Sequence, residues 1–268
     1  MLLFLNKLFK KPAHPFNMQQ NGEKSYAKWQ FDNGERTIAF YLAGCSRDEM
    51  FKDKNVLDIG CGAGGKSLYY ASIGAKRVTG MDIMEKYADD SAALANELGL
   101  SDKFEFVAGD AAKMPFGDGA FETVIANDAM EHVGDPAAVL SECIRVLAHG
   151  GRLCLNFPPY NHPYGAHLSD AIGIPWVHVF FGQKSLIKAY KKLVKDLPDG
   201  EERISFRISA RPNGEEYFSY INKMTIKKFK KLVAALNLDI EYYKEERFAR
   251  LPILKEFLTR MVVCVIKK

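Results

Sequence analysis

Cysteine is scarce in this sequence, charge is nearly balanced and no long apolar run occurs, and each shortage excludes a class of protein. The formal net charge of +4 comes from 37 basic and 33 acidic residues, too small an excess to indicate a nucleic-acid-binding protein. No apolar run approaches the ~18 residues that a membrane span needs. The cysteines are odd in number and contain no C-x-x-C pair, which argues against a disulfide framework or a zinc site and favours reduced thiols in the cytoplasm. The five cysteines are Cys45, Cys61, Cys143, Cys154 and Cys264.

The first eleven residues, MLLFLNKLFKK, mix apolar side chains with three lysines. They lack a basic leader and a small-residue cleavage site, so we expect no signal peptide. The pattern predicts a short amphipathic helix, which either packs onto the protein as a lid or contacts a membrane surface. Lysine runs over 184–195 and 223–231 are typical of solvated helix faces, although they also permit attraction to an anionic membrane.

The run VLDIGCGAGGKS over 56–67 carries the strongest local signal. Apolar strand residues lead into a glycine turn and a helix start, and an acid, Asp82, follows about one βα unit later. Glycine lets the backbone turn tightly and lets a ligand lie against it without a Cβ in the way. The glycines satisfy both G-x-G-x-x-G and G-x-G-x-G, so this run alone leaves two classes of cofactor open, dinucleotides among them.

From Asn55 onward the chain alternates strand and helix patterns, which predicts a parallel sheet covered on both faces. Asp135 followed by Pro136 is typical of a helix start, and the sequence HGG over 149–151 is typical of a helix stop. The predicted strands cover 55–60, 77–82, 103–108, 121–126, 151–157, 239–245 and 261–267. The predicted helices cover 65–73, 85–98, 136–147 and 225–236.

Two segments fall outside this alternation. Residues 12–54 contain Tyr26, Trp29 and Phe31, which we expect in helices that close over the ligand. Residues 158–222 are too many for a simple connection inside a compact domain. We interpret them as a substrate cap, because loops at the carboxyl edge of such a sheet surround the ligand crevice.

Four motifs occur in order between about residues 50 and 160: VLDIGCGAG (56–64), VTGMDI (78–83), FVAGDAAKMPFGDGAFETVIANDAMEHV (106–133) and VLAHGGRLCLNFP (146–158). In this combination the chain resembles the class I S-adenosylmethionine-dependent methyltransferases, in particular the group that includes the ubiquinone/menaquinone-biosynthesis methyltransferases. The resemblance implies an α/β fold with a doubly wound, seven-stranded, mostly parallel sheet of Rossmann-like type, with an inserted cap and N-terminal helices. The expected units are a helical lid (1–54), the cofactor-binding half of the core (55–158), the cap (159–222) and the end of the core (223–268).

The resemblance also implies S-adenosylmethionine as cofactor and S-adenosylhomocysteine as product. Asp82 would accept the two ribose hydroxyls, and Asp110, with the Ala111 N–H, would contact adenine. Asp58 would face the methionine end, where an unpaired buried carboxylate would otherwise be costly, and the Asn127 backbone would lie nearby. The expected cofactor-binding residues are Asp58, Gly60, Gly62, Gly64, Asp82, Ile83, Asp110, Ala111 and Asn127. Asp58 and Asp110 together argue against NAD, because a hydride-transfer dehydrogenase needs no acid two residues before the first glycine.

The sequence therefore predicts an enzyme that transfers a methyl group to a small, apolar or aromatic metabolite by in-line displacement. An RNA or protein methyltransferase is an alternative, against which the lack of a recognisable RNA-binding module argues, and no nucleic-acid partner is expected. A non-catalytic binding module is a second alternative, against which the intact glycine turn and both acids argue. The expected location is cytoplasmic, with or without membrane association, and nothing in the sequence indicates an oligomeric state.

Histidines supply the candidate bases. His132 follows the fourth predicted strand, and His167 or His178, oriented by Asp170, could act as a general base. The cap residues His162, His167, His178 and Asp170 could instead bind a divalent metal. Their spacing matches no established metal motif, so no metal is expected. The remaining interpretation is that these histidines bond to loop backbone.

The cap is rich in aromatic residues, which suits a flat or lipid-like substrate, although packing of the cap explains part of this composition. The residues expected to line the substrate site are Tyr160, His162, Tyr164, Asp170 and Trp176. The sequence NFPPY over 156–160 is similar to the N-P-P-Y turn of methyltransferases that modify adenine or glutamine nitrogen. Phe157 interrupts that motif and it follows the fifth strand instead of the fourth, which argues against such a substrate.

Overall fold

The computed structural model describes residues 1–12, 17, 25–249, 251 and 254–268. Parts of the predicted N-terminal lid and of the predicted C-terminal unit lie outside these described residues. The strands are β1 Asn55–Ile59, β2 Arg77–Asp82, β3 Phe104–Ala108, β4 Phe121–Asn127, β5 Leu147–Phe157, β6 Ile208–Ala210, β7 Glu216–Phe218, β8 Asp239–Arg247 and β9 Thr259–Lys267.

The helices precede, connect and follow these strands. They are α1 Leu2–Asn6, α2 Tyr26–Asp32, α3 Gly34–Ile38, α4 Arg47–Phe51, α5 Gly65–Ser72, α6 Tyr87–Glu97, α7 Pro136–Val146, α8 Val177–Phe180, α9 Gln183–Val194, α10 Gly200–Arg207, α11 Ile226–Ala235 and α12 Lys255–Leu258. No helix among the described residues has the length and apolar character to cross a membrane.

Seven strands form one sheet in the order β3-β2-β1-β4-β5-β9-β8, and β6 pairs with β7 in a separate hairpin. Strands β1 to β5 run parallel, whereas β9 runs antiparallel to both β5 and β8. The predicted fold class is therefore confirmed. The strand order reverses between β1 and β4, and in doubly wound sheets ligands bind at this point, outside the carboxyl ends of the strands.

The predicted strands and helices of the core are confirmed with boundaries within two residues, except that β5 begins at Leu147 instead of Gly151. The Asp135 side chain caps α7 as expected, accepting from the Ala137 and Ala138 N–H groups. The helix nevertheless ends at Val146, and the expected stop over 149–151 lies within β5. The pairing register between β4 and β5 shifts at this point, so the two glycines lie in an irregular first part of β5.

Both faces of the sheet are buried. Along β1, Leu57 and Ile59 belong to one hydrophobic cluster, with α7 and α11, while Val56 belongs to a second cluster, with α5. This alternation follows from the period of two in a strand. Because helices cover both faces, the carboxyl edge of the sheet stays available for a site.

The cap has a hydrophobic cluster of its own, built mainly from α9, the β6–β7 hairpin and the segment before α8. Leu2 of α1 is buried in this cluster, and Asn6 donates to the Ala171 carbonyl and accepts from the Gly173 N–H. The expected lid segment therefore packs in two places, with α1 against the cap and α2 against the core. The expected amphipathic helix is shorter than the lysine pattern suggested, since it ends at Asn6.

Candidate functional site

The glycine turn after β1 has a backbone that only glycine adopts without strain. Gly60, Gly62 and Gly64 have φ of +67°, +56° and +73°. A Cβ on Gly62 would also lie 2.9 Å from the Gln30 Nε2 atom, closer than real contacts allow. The turn is therefore fixed both by its own conformation and by the helix α2 packed against it.

Asp82 ends β2 directly beside this turn. Its Oδ2 atom accepts from the Gly62 N–H at 2.8 Å, and its Oδ1 atom accepts from the Met84 N–H at 2.9 Å. A carboxylate has about four lone-pair sites, so acceptor capacity remains for a ligand. The next side chain, Ile83, is 74% exposed, although it is large and apolar. The pair offers a diol acceptor next to an apolar surface.

Asp110 lies at the same edge of the sheet, because Ala108 of β3 is in register with Asp82 of β2. Asp110 is exposed, and its Oδ1 atom accepts from the Ala112 N–H at 2.9 Å in a local turn. This bond leaves Oδ2 for a further donor. Ala111, the next residue, is half-buried and its side chain packs against the hydrophobic core.

Asp58 is buried within β1 and accepts a hydrogen bond from the Ser67 Oγ–H at 2.6 Å. Burial raises the pKa of the Asp58 carboxyl to about 6, although the Ser67 bond and the Lys66 ammonium oppose this shift. The expected partner of this acid was a ligand, whereas the structure supplies a hydroxyl from the first turn of α5. The serine of the GKS sequence was the signal that could have indicated this.

The Asn127 side chain makes three hydrogen bonds within the core. Its Oδ1 atom accepts from the Tyr41 hydroxyl and from Asn156 Nδ2, and its Nδ2 atom donates to the Tyr70 hydroxyl. These bonds fix the side chain in the core, which is consistent with a ligand contact through the Asn127 backbone. Asn156, the first residue of the NFPPY sequence, is thus a buried structural residue.

Helix α2 contributes a residue that sequence reasoning missed. Gln30 is buried, and it donates to the Cys61 carbonyl at 3.1 Å while accepting from the Gly65 N–H at 3.3 Å. It therefore ties α2 to both ends of the glycine turn. Tyr26 of the same helix packs against Gly62, and burial, aided by Tyr87 and Asp82, raises its pKa.

The histidines of the sequence prediction fall into two separate groups. His132 and His167 face each other with perpendicular rings whose centroids are 4.8 Å apart. Their Nε2 atoms lie 3.8 Å and 3.7 Å from Glu131 Oε1. Glu131 is buried, and burial together with Asp128 raises the pKa of its carboxyl well above its ordinary value. Sequence reasoning named His132 but not its neighbour Glu131.

The second group lies where the cap meets the end of β8. The His178 ring packs 4.7 Å from the Tyr160 ring, and the His162 ring stacks at 5.6 Å on Phe248. Burial lowers the pKa of His162 to about 4. His162 Nδ1 accepts from the Tyr164 N–H at 3.1 Å. Among the described residues, the Glu131 carboxylate makes no hydrogen bond, and its ion pairs are with His132 and His167, not with this group.

Trp176 lies two residues before His178 of this second group. Its indole N–H donates to the carbonyl of Phe257, just before β9. Tyr160, Tyr164 and Trp176 are all half-buried. They thus keep some exposed aromatic surface, as lining residues of a site would.

Asp170, expected to orient a histidine and to line the substrate site, binds other groups in the structure. Its carboxylate is buried and pairs with Arg203 at 3.1 Å and Arg207 at 3.2 Å, and it accepts from the Tyr190 hydroxyl at 2.8 Å. Both guanidinium groups come from α10. Asp170 is therefore the centre of a buried ion cluster that holds the cap together.

Comparison with known proteins finds a methyltransferase domain in the core of this chain. A model of the methyltransferase domain matches residues 57–155. A probable tocopherol O-methyltransferase of Oryza sativa is 40% identical over 121 residues, 45% of this chain and 33% of that protein. A sterol 24-C-methyltransferase of Gibberella zeae is 43% identical over 96 residues, 36% of this chain and 25% of that protein. The chain thus spans a third or less of these curated relatives.

A solved structure extends the likeness beyond the matched domain. A SAM-dependent methyltransferase from Methanosarcina mazei is 25% identical with a TM-score of 0.52, covering 82% of this chain and 95% of that one. The matched domain contains the glycine turn, Asp82, Asp110 and the EH pair at 131–132. Residues 57–155 are therefore a methyltransferase domain, and over most of its length the chain is similar to a SAM-dependent methyltransferase of solved structure.

Proposed function

We propose that this protein transfers the methyl group of S-adenosylmethionine to a small, apolar or aromatic metabolite. The observation that carries the proposal is the carboxylate of Asp82 bonded to the N–H of Gly62, with acceptor capacity left over at a strand end. Such a group fits the ribose diol of the cofactor, and the positive-φ glycines let the cofactor approach the backbone closely.

The remaining cofactor contacts follow the edge of the sheet. Asp110 and the Ala111 N–H are suited to the adenine amine and ring, and the exposed Ile83 side chain to the adenine face. Asp58 acts on the methionine end from beneath the turn, since its carboxyl is buried and bonded to Ser67. Gln30 and Tyr26 of α2 cover the turn, so α2 must adjust when cofactor enters.

The cofactor supplies an activated methyl group on a sulfonium, so the protein mainly has to align the acceptor and deal with its proton. Glu131 and His132 follow β4 and lie beside His167 of the cap. We assign the acceptor to this position, with His132 and His167 as candidate bases. His178 is the weaker candidate, because it lies in the second histidine group beside Tyr160.

The substrate class rests on two kinds of support. The named relatives act on tocopherol and sterols, which are apolar molecules with a ring system. The cap presents half-buried aromatic residues (Tyr160, Tyr164 and Trp176) at the same edge of the sheet. A macromolecular acceptor has no comparable support.

Apolar substrates are held in membranes, and we propose that α1 and the residues after it contact a membrane surface. Asn6 and Leu2 fix α1 to the cap, which leaves Phe4 68% and Leu8 69% exposed. Lys7, Lys10 and Lys11 surround these side chains in the sequence. Exposed apolar residues beside lysines are typical of interfacial segments. The five buried, free cysteines support a cytoplasmic setting.

A transfer experiment tests the proposed function. The purified protein is incubated with methyl-labelled S-adenosylmethionine and an extract of its source cells, and the products are partitioned; the Asp82→Ala variant serves as the control. We expect label in the organic phase with the wild-type protein only. Label in the macromolecular fraction would contradict the proposal in favour of RNA or protein as acceptor. Binding of cofactor without any label would favour a non-catalytic module.

A further inference from the structure

Three potential metal ligands converge between the end of β4 and the cap. Glu131 Oε1, His132 Nε2 and His167 Nε2 all lie within 4.8 Å of one another. Two of these residues follow β4 directly, and the third comes from the cap. The group is therefore assembled only when the cap is folded onto the core.

Glu131 is the residue that demands an explanation. It is 3% exposed, and neither of its carboxylate oxygens has a hydrogen-bond partner among the described residues. A buried carboxyl group with no hydrogen-bond partner is costly in either protonation state, so such groups are normally hydrogen-bonded, ion-paired or bound to a cation. The nearest ring nitrogens, at 3.7 Å and 3.8 Å, are too far for a hydrogen bond.

The tautomer of His132 is fixed by its other nitrogen. Nδ1 lies 2.8 Å from the Tyr220 carbonyl oxygen, which can only accept, so Nδ1 carries the proton. Nε2 is then an unprotonated nitrogen with its lone pair on the side of Glu131. Metal-binding histidines are oriented in the same way, with the second nitrogen donating to a carbonyl or carboxylate.

The separations suit a shared ion better than direct contact. Two ligand atoms each about 2.1 Å from one tetrahedral ion are roughly 3.4 Å apart. The two distances from Glu131 Oε1 exceed this by a few tenths of an ångström, and the two histidine nitrogens lie within 4.8 Å of each other. The backbone of His167 also has φ of +50°, an uncommon conformation that brings this ring to the site. The Arg207 guanidinium and the Tyr164 carbonyl hold the His167 backbone there.

We propose that Glu131, His132 and His167 bind a divalent transition-metal ion of the zinc type. Two imidazoles and one carboxylate are a donor set that such ions prefer. The His132 side chain is 34% exposed, so the ion keeps an open side for a further ligand. Catalytic sites with three protein ligands have this arrangement, whereas structural sites are closed by four.

The role of the ion rests on the proposed function and makes it more specific. The open side would bind the acceptor oxygen, so the acceptor class is a phenol or enol whose hydroxyl proton passes to water as the oxygen binds. In the transfer, an oxygen lone pair forms the new C–O bond. The C–S bond breaks, and sulfur keeps its electron pair as a thioether. Both histidines then act as ligands instead of bases.

Cobalt(II) binding tests the site without relying on turnover. The full chain is freed of metal with a chelator and titrated with Co²⁺, and the visible d–d absorption and the stoichiometry are recorded. We expect one ion per chain with the spectrum of low-coordinate cobalt. Glu131→Gln and His167→Ala should weaken binding about tenfold or more, because each removes one ligand. His149→Ala, an exposed histidine of β5, is the matched control and should bind as the wild type does.

Two outcomes would overturn the proposal: no cobalt binding by the wild type, or equal binding by wild type, Glu131→Gln and His167→Ala. The affinity of the same metal-free protein for S-adenosylmethionine, measured by calorimetry, separates failure of the metal site from failure of the proposed function. Cofactor binding without cobalt binding would reject the metal site alone. Loss of cofactor binding in metal-free wild-type protein that is still folded would count against the proposed function, whatever the cobalt result.

Discussion

The core and the cap each bury a carboxylate, and they stabilise it in different ways. Asp58 in the core has a hydroxyl as its hydrogen-bond partner, and its pKa is raised to about 6 by burial. Asp170 in the cap is held between two guanidinium groups. The first arrangement leaves a group able to respond to a ligand above it, whereas the second fixes a fold. The ion-paired carboxylate of Asp170 therefore has a structural role, whereas the carboxyl group of Asp58 belongs to the candidate site.

Removing one cation from the cap cluster should have the largest effect on stability. Arg203→Met leaves Asp170 with fewer partners in a buried position, and breaking such a pair costs about 3–5 kcal/mol. We expect that loss in the free energy of unfolding, measured by urea denaturation. The triple variant Asp170→Leu, Arg203→Met, Arg207→Met should recover much of it, because it removes the fully buried charges and leaves only Asp199, whose side chain is 27% exposed. A triple variant as unstable as the single one would contradict this interpretation.

The pH dependence of stability should report the buried carboxyl group of Asp58. The folded-state pKa of Asp58 is about 6 against 3.8 for its ordinary value, so the folded state binds the proton more tightly than the unfolded chain does. Its contribution to stability is therefore greatest below about pH 4 and is lost as the pH rises to about 6, a difference of about 3 kcal/mol. Asp58→Asn should remove this slope. Denaturation between pH 4 and pH 7 measures it, and an unchanged slope in the variant would contradict the assignment.

The sequence predicted the core better than the cap for a physical reason. The glycine turn, Asp82 and the N-cap residue Asp135 of α7 each satisfy a local requirement of the backbone. They can therefore be recognised within one βα unit. Asp170 and Arg203 are 33 residues apart, and nothing in their spacing indicates that they pair. The sequence also groups His167 with the other cap histidines. In the structure His167 lies beside Glu131, which is 36 residues earlier in the chain, and their spacing does not indicate this contact.

Asp82 tests the core side of the comparison at the level of binding. Asp82→Ala removes the acceptor proposed for the ribose diol, and we expect cofactor affinity to fall about tenfold or more. Isothermal calorimetry with S-adenosylhomocysteine measures it. The matched control is Asp118→Ala, an exposed acid that pairs with Arg145 away from the turn. Equal affinity in the wild type and Asp82→Ala would reject the ribose assignment.

The smallest effect is expected at the outer face of α1, which belongs with the cap. Phe4→Ser together with Leu8→Ser removes exposed apolar side chains without touching the buried Leu2, so stability should be unchanged. Binding to anionic phospholipid vesicles should fall about threefold or more, because the apolar contribution is lost while the lysines remain. Ile240→Ser, an exposed residue of β8, should bind as the wild type does.

If all three proteins sediment equally with vesicles, α1 is not the contact. If added salt alone releases the double variant, the remaining attraction is electrostatic and comes from the lysines, which would make the cap side of the molecule the membrane-facing side.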